Sequence, residues 1–140
     1  MSASTTKEQN QATLNHYFKA MASRDKDALK ACFADNAQWH FPQTFHGRPH
    51  QEASNADEIV VLLTGALSDF YQPETLRSTP HFVIVDEEHA AYQFRMRCTA
   101  ANGKPYDNLY VFTFRFKDGL SAEGWEHLDS LYFEQIVHSD

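Results

Sequence analysis

Residues 89–119 read HAAYQFRMRCTAANGKPYDNLYVFTFRFKDG and contain two runs in which apolar and polar side chains alternate. A period of two residues is typical of a strand with one buried face. Each run ends at a pair, Asn102-Gly103 or Asp118-Gly119, that is among the strongest short hairpin signals, because the turn needs residues that tolerate positive φ. The stretch therefore predicts two strands, at about 89–101 and 105–117, in hairpin succession.

The same alternation continues on both sides of this stretch. A run over about 75–86 precedes it and is separated from it by Asp86-Glu87-Glu88, and a run over 121–137 follows it. The C-terminal half is therefore predicted to be a meander of four long antiparallel strands.

The N-terminal half has helical spacing instead. Thr5 and Glu8 have the spacing of a capping box, Asp25 can cap a second, short helix, and Ser54 or Asn55 can cap a third. A short strand is predicted over 37–41, ending at Pro42, and a polar loop over 42–53. The apolar positions that repeat at helical intervals are Leu14, Tyr17, Phe18 and Met21 in the first helix, Leu29, Cys32 and Phe33 in the second, and Ile59, Leu62, Leu63, Ala66, Leu67 and Phe70 in the third.

This order of elements predicts an α+β fold, in which helices cover one face of an antiparallel sheet. A length of 140 residues suits one domain. We expect a disordered tail over residues 1–4 and a single domain over 5–140.

Composition excludes several classes of partner. The formal net charge is −7 and Lys and Arg form no cluster, which argues against nucleic acid and against anionic membranes. We find no apolar stretch of the roughly 20 residues that a membrane span requires. The N-terminal segment is polar, unlike a secretory signal, and two cysteines make no disulfide framework. We therefore expect a cytoplasmic protein.

Three segments resemble the nuclear transport factor 2-like superfamily, in particular its SnoaL-like branch. The first runs from Tyr17-Phe18 to the helix-to-strand passage at 33–37, and the second is the sequence WHFP at 39–42 followed by Gly47. The third is FRFKDG at 114–119 followed by EHLD at 126–129. Together and in this order, the three segments cover nearly the whole chain.

The resemblance implies a cone-shaped, half-open barrel, in which a curved antiparallel sheet wraps around about three N-terminal helices. It implies an apolar pocket at the open end, and a homodimer formed through the outer face of the sheet. Members of this branch include polyketide cyclases, limonene epoxide hydrolases and ketosteroid isomerases. An apolar small molecule is therefore the expected ligand, and an isomerase, cyclase or epoxide-type hydrolase that needs no cofactor is the expected type of enzyme.

Tyr17 matches the tyrosine that stabilises the oxyanion in ketosteroid isomerases, although the residue also belongs to an apolar helix stripe. A phenol in an apolar cavity can donate a hydrogen bond to a developing enolate. The two positions at which those isomerases carry their acids correspond to Phe41 and Leu109 here. Because neither side chain can transfer a proton, the sequence argues against true ketosteroid isomerase activity.

The acid on the last strand has two candidates. The resemblance to epoxide hydrolases and cyclases points to Glu126, whereas burial of Trp125, Leu131 and Phe133 would carry His127 and Asp129 inward, since side chains alternate along a strand. A bulge would exchange the two faces. A third interpretation leaves both acids at the surface.

Other polar groups could assist such an acid. His40 could act as a base or an acid near neutral pH, or could be a hydrogen-bonded wall residue. Asp107 could approach the last strand and raise the pKa of a second carboxylate. Arg95 and Arg97 are expected to face solvent or a partner. The pocket wall is predicted to include Trp39, Phe41, Leu109, His127 and Leu128.

Neither a metal nor an organic cofactor is expected. His46 and His50 lie near Gly47 and Pro49, so they do not share a helical face, and no further ligands complete a set. No phosphate-binding loop is present. Two non-catalytic interpretations stay open, namely a ligand-binding module and a dimerising interaction domain whose pocket is filled by its own aromatic side chains.

Overall fold

The computed structural model describes residues 3–42, 44–45, 48–49 and 52–138. Within these ranges the chain has the predicted α+β architecture, and none of the helices is both long and apolar enough to cross a bilayer. The elements are α1 (Ala3–Ser23), α2 (Lys26–Lys30), β1 (Phe33–His40), β2 (Thr44–Phe45), β3 (Arg48–Pro49), β4 (Glu52–Ser54), α3 (Ala56–Phe70), a 3-10 turn (Pro73–Thr75), β5 (Arg77–Val85), β6 (His89–Thr99), β7 (Pro105–Lys117), β8 (Leu120–Leu128) and α4 (Ser130–Val137).

One curved sheet dominates the described part of the chain, with six strands in the order β4-β1-β8-β7-β6-β5. All neighbouring pairs in it are antiparallel except β1 and β8, which run parallel. The sheet is thus mixed, and not purely antiparallel as the sequence suggests. The exception arises because β1 precedes α3 and the meander, and the last strand of the meander returns to lie beside it.

The predicted hairpins are present. Strands β6 and β7 pair without interruption from His89 opposite Arg115 to Thr99 opposite Pro105. At the next turn both Asp118 and Gly119 have positive φ, at 53° and 78°. The turn residues therefore fix the register of the meander, as their sequence indicates.

The core lies between the helices and one face of the sheet. Along β6 and β7 every second residue is buried, and Tyr92, Phe94, Phe112 and Phe114 all point to the same side. Tyr17 of α1 packs edge-on against Phe114, with ring centroids 5.3 Å apart. The aromatic alternation of the sequence is therefore the packing surface for the helices.

Helices α2 and α3 begin at the predicted caps. The Asp25 side chain accepts a hydrogen bond from the Ala28 amide, and that of Asn55 accepts one from the Glu58 amide. Helix α1 begins at Ala3, two residues before the capping-box threonine. Residues 3 and 4 are therefore helical, whereas the sequence predicted that they belong to a disordered tail. Residues 1–2 lie outside the described part of the chain.

Two element boundaries differ from the prediction. Strand β1 begins at Phe33, which the helical spacing had assigned to α2. The ladder between β1 and β8 is irregular from Phe33 to Gln38, and this irregularity hides the strand period in the sequence.

The segment 130–137 is a helix and not the end of the last strand. Asp129 caps α4 by accepting a hydrogen bond from the Tyr132 amide. Phe133 is fully buried, and Ile136 and Val137 also pack on the core. These three residues have the spacing i, i+3, i+4, so the helical signal was present in the sequence.

Candidate functional site

A cavity of about 520 Å³ lies between α1, α3 and the inner face of the sheet. Its walls are mostly apolar, and several come from the alternating aromatic positions described above. This size and lining suit a small organic molecule. Wall residues include Phe18, Met21, Leu67, Phe94, Phe112 and Leu128.

Glu126 is the candidate acid that lines this cavity, and the exposed residues Arg24, Glu74 and Arg77 also belong to the lining. It lies on β8 opposite Phe112, whose ring forms part of the wall. Its side chain is half-buried and lines the cavity. Burial raises the pKa of Glu126 from 4.5 to about 8. The group is therefore mainly protonated at neutral pH.

A bulge in β8 turns Glu126 inward. Opposite the consecutive residues Arg115 and Phe116 of β7 stand Glu123 and Ser121, so one residue of β8 is extra. Ser121 and Gly124 are consequently both buried although they are three positions apart. Beyond the bulge, Glu126 shares the inner face with Gly124. The orientation implied by the resemblance is thus found. The opposite face was favoured because Leu131 and Phe133 fit a strand in phase with Trp125, but both belong to α4 and do not define the faces of β8.

Tyr17 presents a phenol to the same cavity. Its hydroxyl group is buried and has no hydrogen-bond partner among the described residues. Burial raises the pKa of Tyr17 well above its ordinary value, and the charge of Glu126 raises it further. Tyr17 therefore keeps its proton and can donate it in a hydrogen bond to a molecule that enters the cavity.

Three further tyrosines form a second polar group that the sequence did not single out. The hydroxyl of Tyr110 lies 2.9 Å from that of Tyr71 and 2.7 Å from that of Tyr106. Asn108 donates a hydrogen bond to the Tyr106 hydroxyl at 2.9 Å. Tyr71 and Tyr110 line the cavity. Their spacing resembles ordinary core alternation, so only the fold reveals that these hydroxyl groups meet.

Of the predicted pocket residues, Phe41 and Leu128 line the cavity, whereas Trp39 lies behind it. Trp39 is fully buried and stacks on Tyr17 with ring centroids 6.2 Å apart. Its indole occupies the space above Gly124, where a larger side chain would exclude it. Trp39 thus supports Tyr17 from the core and is not part of the wall.

His40 lies on the outer face of the sheet, away from the cavity. Its Nδ1 and Nε2 atoms are 3.0 Å from Glu52 and 2.6 Å from Glu123, and its ring stacks on Trp125. Because it follows the inward Trp39 on the same strand, alternation turns it outward. The prediction that His40 assists catalysis therefore placed it on the wrong face.

Asp107 and Leu109 also point outward. Asp107 forms ion pairs with Arg95 at 2.9 Å and with Arg97 at 3.2 Å, and all three side chains are exposed or nearly so. Leu109 is 38% exposed. Both alternate with the inward Asn108, so neither reaches the cavity, and the prediction that they belong to the site is wrong. The two arginines lie at the surface, as expected.

The other two candidates on the last strand have different positions from those predicted. His127 is exposed on the outer face, and Asp129 is the exposed N-cap of α4. The bulge turns His127 outward, and the capping hydrogen bond occupies the Asp129 carboxylate. Neither residue lines the cavity.

No metal site is evident in the part of the chain that the structure describes, where no group of three His, Cys, Asp or Glu side chains is arranged to hold a metal ion. His46 and His50, which the sequence raised as ligands, lie outside the described residues.

Comparison with known proteins identifies the family. The model of the SnoaL-like domain matches residues 14–124. No curated protein has a sequence that matches this chain.

Solved structures share the fold over almost the entire chain. An NTF2-like (nuclear transport factor 2-like) protein of unknown function from Burkholderia pseudomallei has a TM-score of 0.82 at 20% identity, covering 94% of this chain and 98% of its own. A protein from Jannaschia sp. CCS1, provisionally named a SnoaL-like polyketide cyclase, has a TM-score of 0.80 at 17% identity, covering 100% and 99%. TerC, crystallised with polyporic acid, has a TM-score of 0.78 at 13% identity, covering 94% and 99%.

At sequence identities this low, the structural similarity establishes the fold and no more. The family model, in contrast, spans most of the chain, including β1 and the start of β8. The chain therefore belongs to the SnoaL-like domain family and has the NTF2-like fold.

Proposed function

We propose that the cavity binds an apolar, oxygen-containing small molecule and that Glu126 transfers a proton to or from it, in an isomerisation, cyclisation or hydrolysis that needs no cofactor. The observation that carries the proposal is a carboxyl group with a pKa of about 8 that lines a mostly apolar cavity. Such a group can give or take a proton near neutral pH, as general acid–base catalysis requires.

Tyr17 supplies the second group that such a reaction needs. Tyr17 lines the same cavity, and its hydroxyl, which has no partner among the described residues, is proposed to stabilise negative charge that develops on a substrate oxygen. The mostly apolar wall lowers the local dielectric constant, which strengthens this hydrogen bond. Glu126 is thus proposed as the proton-transfer group and Tyr17 as the donor to the oxygen.

A generic proton-transfer probe tests this proposal without knowledge of the natural substrate. 5-Nitrobenzisoxazole is small and apolar, and a base that removes the proton from its C3 carbon causes the N–O bond to break and a coloured cyanophenolate to form. We expect turnover to increase with pH through about 8, as Glu126 ionises. Glu126→Gln should lower the rate at least about 100-fold, the usual contribution of a general base.

Glu123→Gln is the matched control, because it makes the same change on the same strand but on the outer face. It should leave the turnover of the probe nearly unchanged. Equal rates for the wild type and Glu126→Gln would refute the catalytic proposal. If the probe bound without any turnover, the cavity would instead belong to a ligand-binding module.

We also propose that the protein is a cytoplasmic homodimer that associates through the outer face of the sheet. Phe82 and Ile84 of β5 are 47% and 62% exposed there. The same face continues through their pairing partners on β6 to Val111 on β7 and Trp125 on β8, both of which are half-buried. A second copy would cover these apolar groups, and its own exposed Arg and Asp side chains would match those at the edge.

A further inference from the structure

Four polar side chains form a continuous chain of hydrogen bonds that ends at the cavity. It begins at Asn108, passes through the hydroxyl groups of Tyr106 and Tyr110, and reaches Tyr71. Asn108 and Tyr106 are buried and do not line the cavity, whereas Tyr110 and Tyr71 do. The chain therefore joins a buried amide to the cavity wall.

The orientation of the Asn108 amide is fixed by two backbone groups. Its Oδ1 accepts a hydrogen bond from the Leu109 amide at 2.8 Å, and its Nδ2 donates one to the Asp129 carbonyl at 3.1 Å. A flipped amide would place donor against donor and acceptor against acceptor. Nδ2 is therefore the atom that faces Tyr106, and Tyr106 must accept.

This donor sets the direction of the whole chain. Tyr106 accepts from Asn108 and has one proton of its own, and the nearest acceptor for that proton is the Tyr110 hydroxyl at 2.7 Å. Tyr110 then accepts from Tyr106 and gives its proton to Tyr71. The opposite direction would take the Tyr106 proton away from its nearest acceptor among the described residues, which is costly in a buried site.

The Tyr71 proton is the one that remains. Three phenols carry three protons, and the two bonds between phenols use two of them. Burial raises the pKa of all three, so each keeps its proton at neutral pH. Bonds in a chain polarise one another, so the last hydroxyl is a stronger donor than an isolated phenol.

We propose that the Tyr71 hydroxyl is a preorganised donor that holds an acceptor-only oxygen of the ligand, such as a ketone or enone carbonyl. The inference deepens the proposed function by naming the ligand class, and it requires only that the cavity binds a small molecule, not that Glu126 is catalytic.

The surroundings of Tyr71 favour an acceptor over a donor on the ligand. Tyr71 and Glu126 both line the cavity, and no hydrogen bond joins them within the described structure. A ligand carbonyl on Tyr71 would place its neighbouring carbon atoms towards the apolar wall and the Glu126 carboxyl group.

Two probes of nearly the same shape test this inference. 2-Acetylnaphthalene carries an acceptor-only carbonyl, and 2-ethylnaphthalene carries none. Equilibrium dialysis gives the affinity of the wild type, Tyr71→Phe and Tyr92→Phe for each probe. Tyr92→Phe is the matched control, because Tyr92 lines the same cavity but lies outside the hydrogen-bonded chain. The infrared carbonyl stretch of bound 2-acetylnaphthalene reports directly on a hydrogen bond.

We expect Tyr71→Phe to weaken binding of the ketone about 3- to 10-fold, the usual effect of one hydrogen bond, and to leave the hydrocarbon unaffected. The carbonyl stretch should lie at lower frequency in the wild type and in Tyr92→Phe than in Tyr71→Phe. Equal weakening of both probes, or a carbonyl stretch that does not respond to Tyr71→Phe, would overturn the inference.

Glu126→Gln separates this inference from the proposed function. It should abolish turnover of the benzisoxazole but keep the preference for the ketone and its shifted carbonyl stretch. A wild type that turns over the benzisoxazole but shows no preference for the ketone would refute the role of Tyr71 and leave that of Glu126 standing.

Discussion

Trp39 and Gly124 are partners across the parallel ladder of β1 and β8, and the indole lies directly on the glycine. A Cβ atom on Gly124 would approach Cε3 and Cζ3 of Trp39 to 2.5 Å. The same indole stacks on Tyr17, which faces the cavity. Position 124 lies two residues before Glu126 on β8. The absence of a side chain there allows the packing that positions Tyr17.

Gly124→Ala is predicted to destabilise the fold, because the indole is fully buried and has no space into which it can move. We expect a loss of about 1–3 kcal/mol in the free energy of unfolding, as for other overpacked cores. Urea denaturation measures it. Gly65→Ala is the control, since the nearest atom to its Cβ is 3.9 Å away within α3, and it should stabilise by about 0.5–1 kcal/mol. A neutral Gly124→Ala would show that Trp39 can shift.

Glu126→Gln is predicted to change the pH dependence of stability. The Glu126 carboxyl group ionises near 4.5 when unfolded and near 8 when folded, so folding takes up a proton between these values. Its contribution to stability is complete below about 4.5 and is lost as the pH rises towards 8, by at most about 1.4 kcal/mol per pH unit. In urea denaturation from pH 5 to 9, the free energy of unfolding of Glu126→Gln should increase relative to that of the wild type up to about pH 8. Parallel curves would contradict the raised pKa.

Tyr17→Phe is predicted to separate stability from activity. Removing a buried hydroxyl that has no partner within the described residues should raise the free energy of unfolding by about 1 kcal/mol. The same change should slow benzisoxazole turnover about 10-fold, since the developing phenolate loses a donor. Thermal unfolding and the colorimetric assay measure the two effects. A loss of stability would indicate that the hydroxyl has a partner after all.

His40→Ala is predicted to leave turnover unchanged within about 2-fold, because His40 lies outside the cavity. It should lower stability by roughly 1 kcal/mol, since Glu52 and Glu123 lose a shared partner that is still partly exposed to solvent. Activity and urea denaturation of the same preparation test both statements. A large loss of activity without loss of stability would show that His40 takes part in turnover.

Phe82→Glu is predicted to convert the proposed homodimer to a monomer, because it places a charge in the apolar part of the outer sheet face. Light scattering of the purified protein measures the mass. Val61→Glu is the control, since Val61 is 63% exposed on α3, away from that face. A wild type with the mass of one chain would refute the proposed dimer directly.

The extent of the fold that could be predicted depends on how local each signal is. Asp118-Gly119 fixed a hairpin because a turn of positive φ concerns only two residues. The caps at Asp25 and Asn55 were equally local. The last element was assigned wrongly, because the apolar residues from Leu131 onward fit a strand as well as a helix until Asp129 is recognised as the cap.

The candidate site was only partly predictable for the same reason. Tyr17, Glu126, Phe41 and Leu128 line the cavity, but the sequence could not choose between the two faces of β8, because the apolar residues of α4 fit a continuation of the strand in phase with Trp125. His40 and Asp107 are polar residues next to inward positions, and alternation placed them on the outer face.

By itself the sequence determined the class of the fold, the meander and the apolar character of the wall, since period, turn residues and caps act over a few neighbouring positions. Tertiary structure alone decided which acid meets the cavity and that the hydroxyl groups of Tyr71, Tyr106 and Tyr110 meet. The bulge depends on the pairing of β8 with β7, and the tyrosine chain joins residues up to 39 positions apart. Contacts between distant residues follow from how whole elements pack, and no local pattern encodes them.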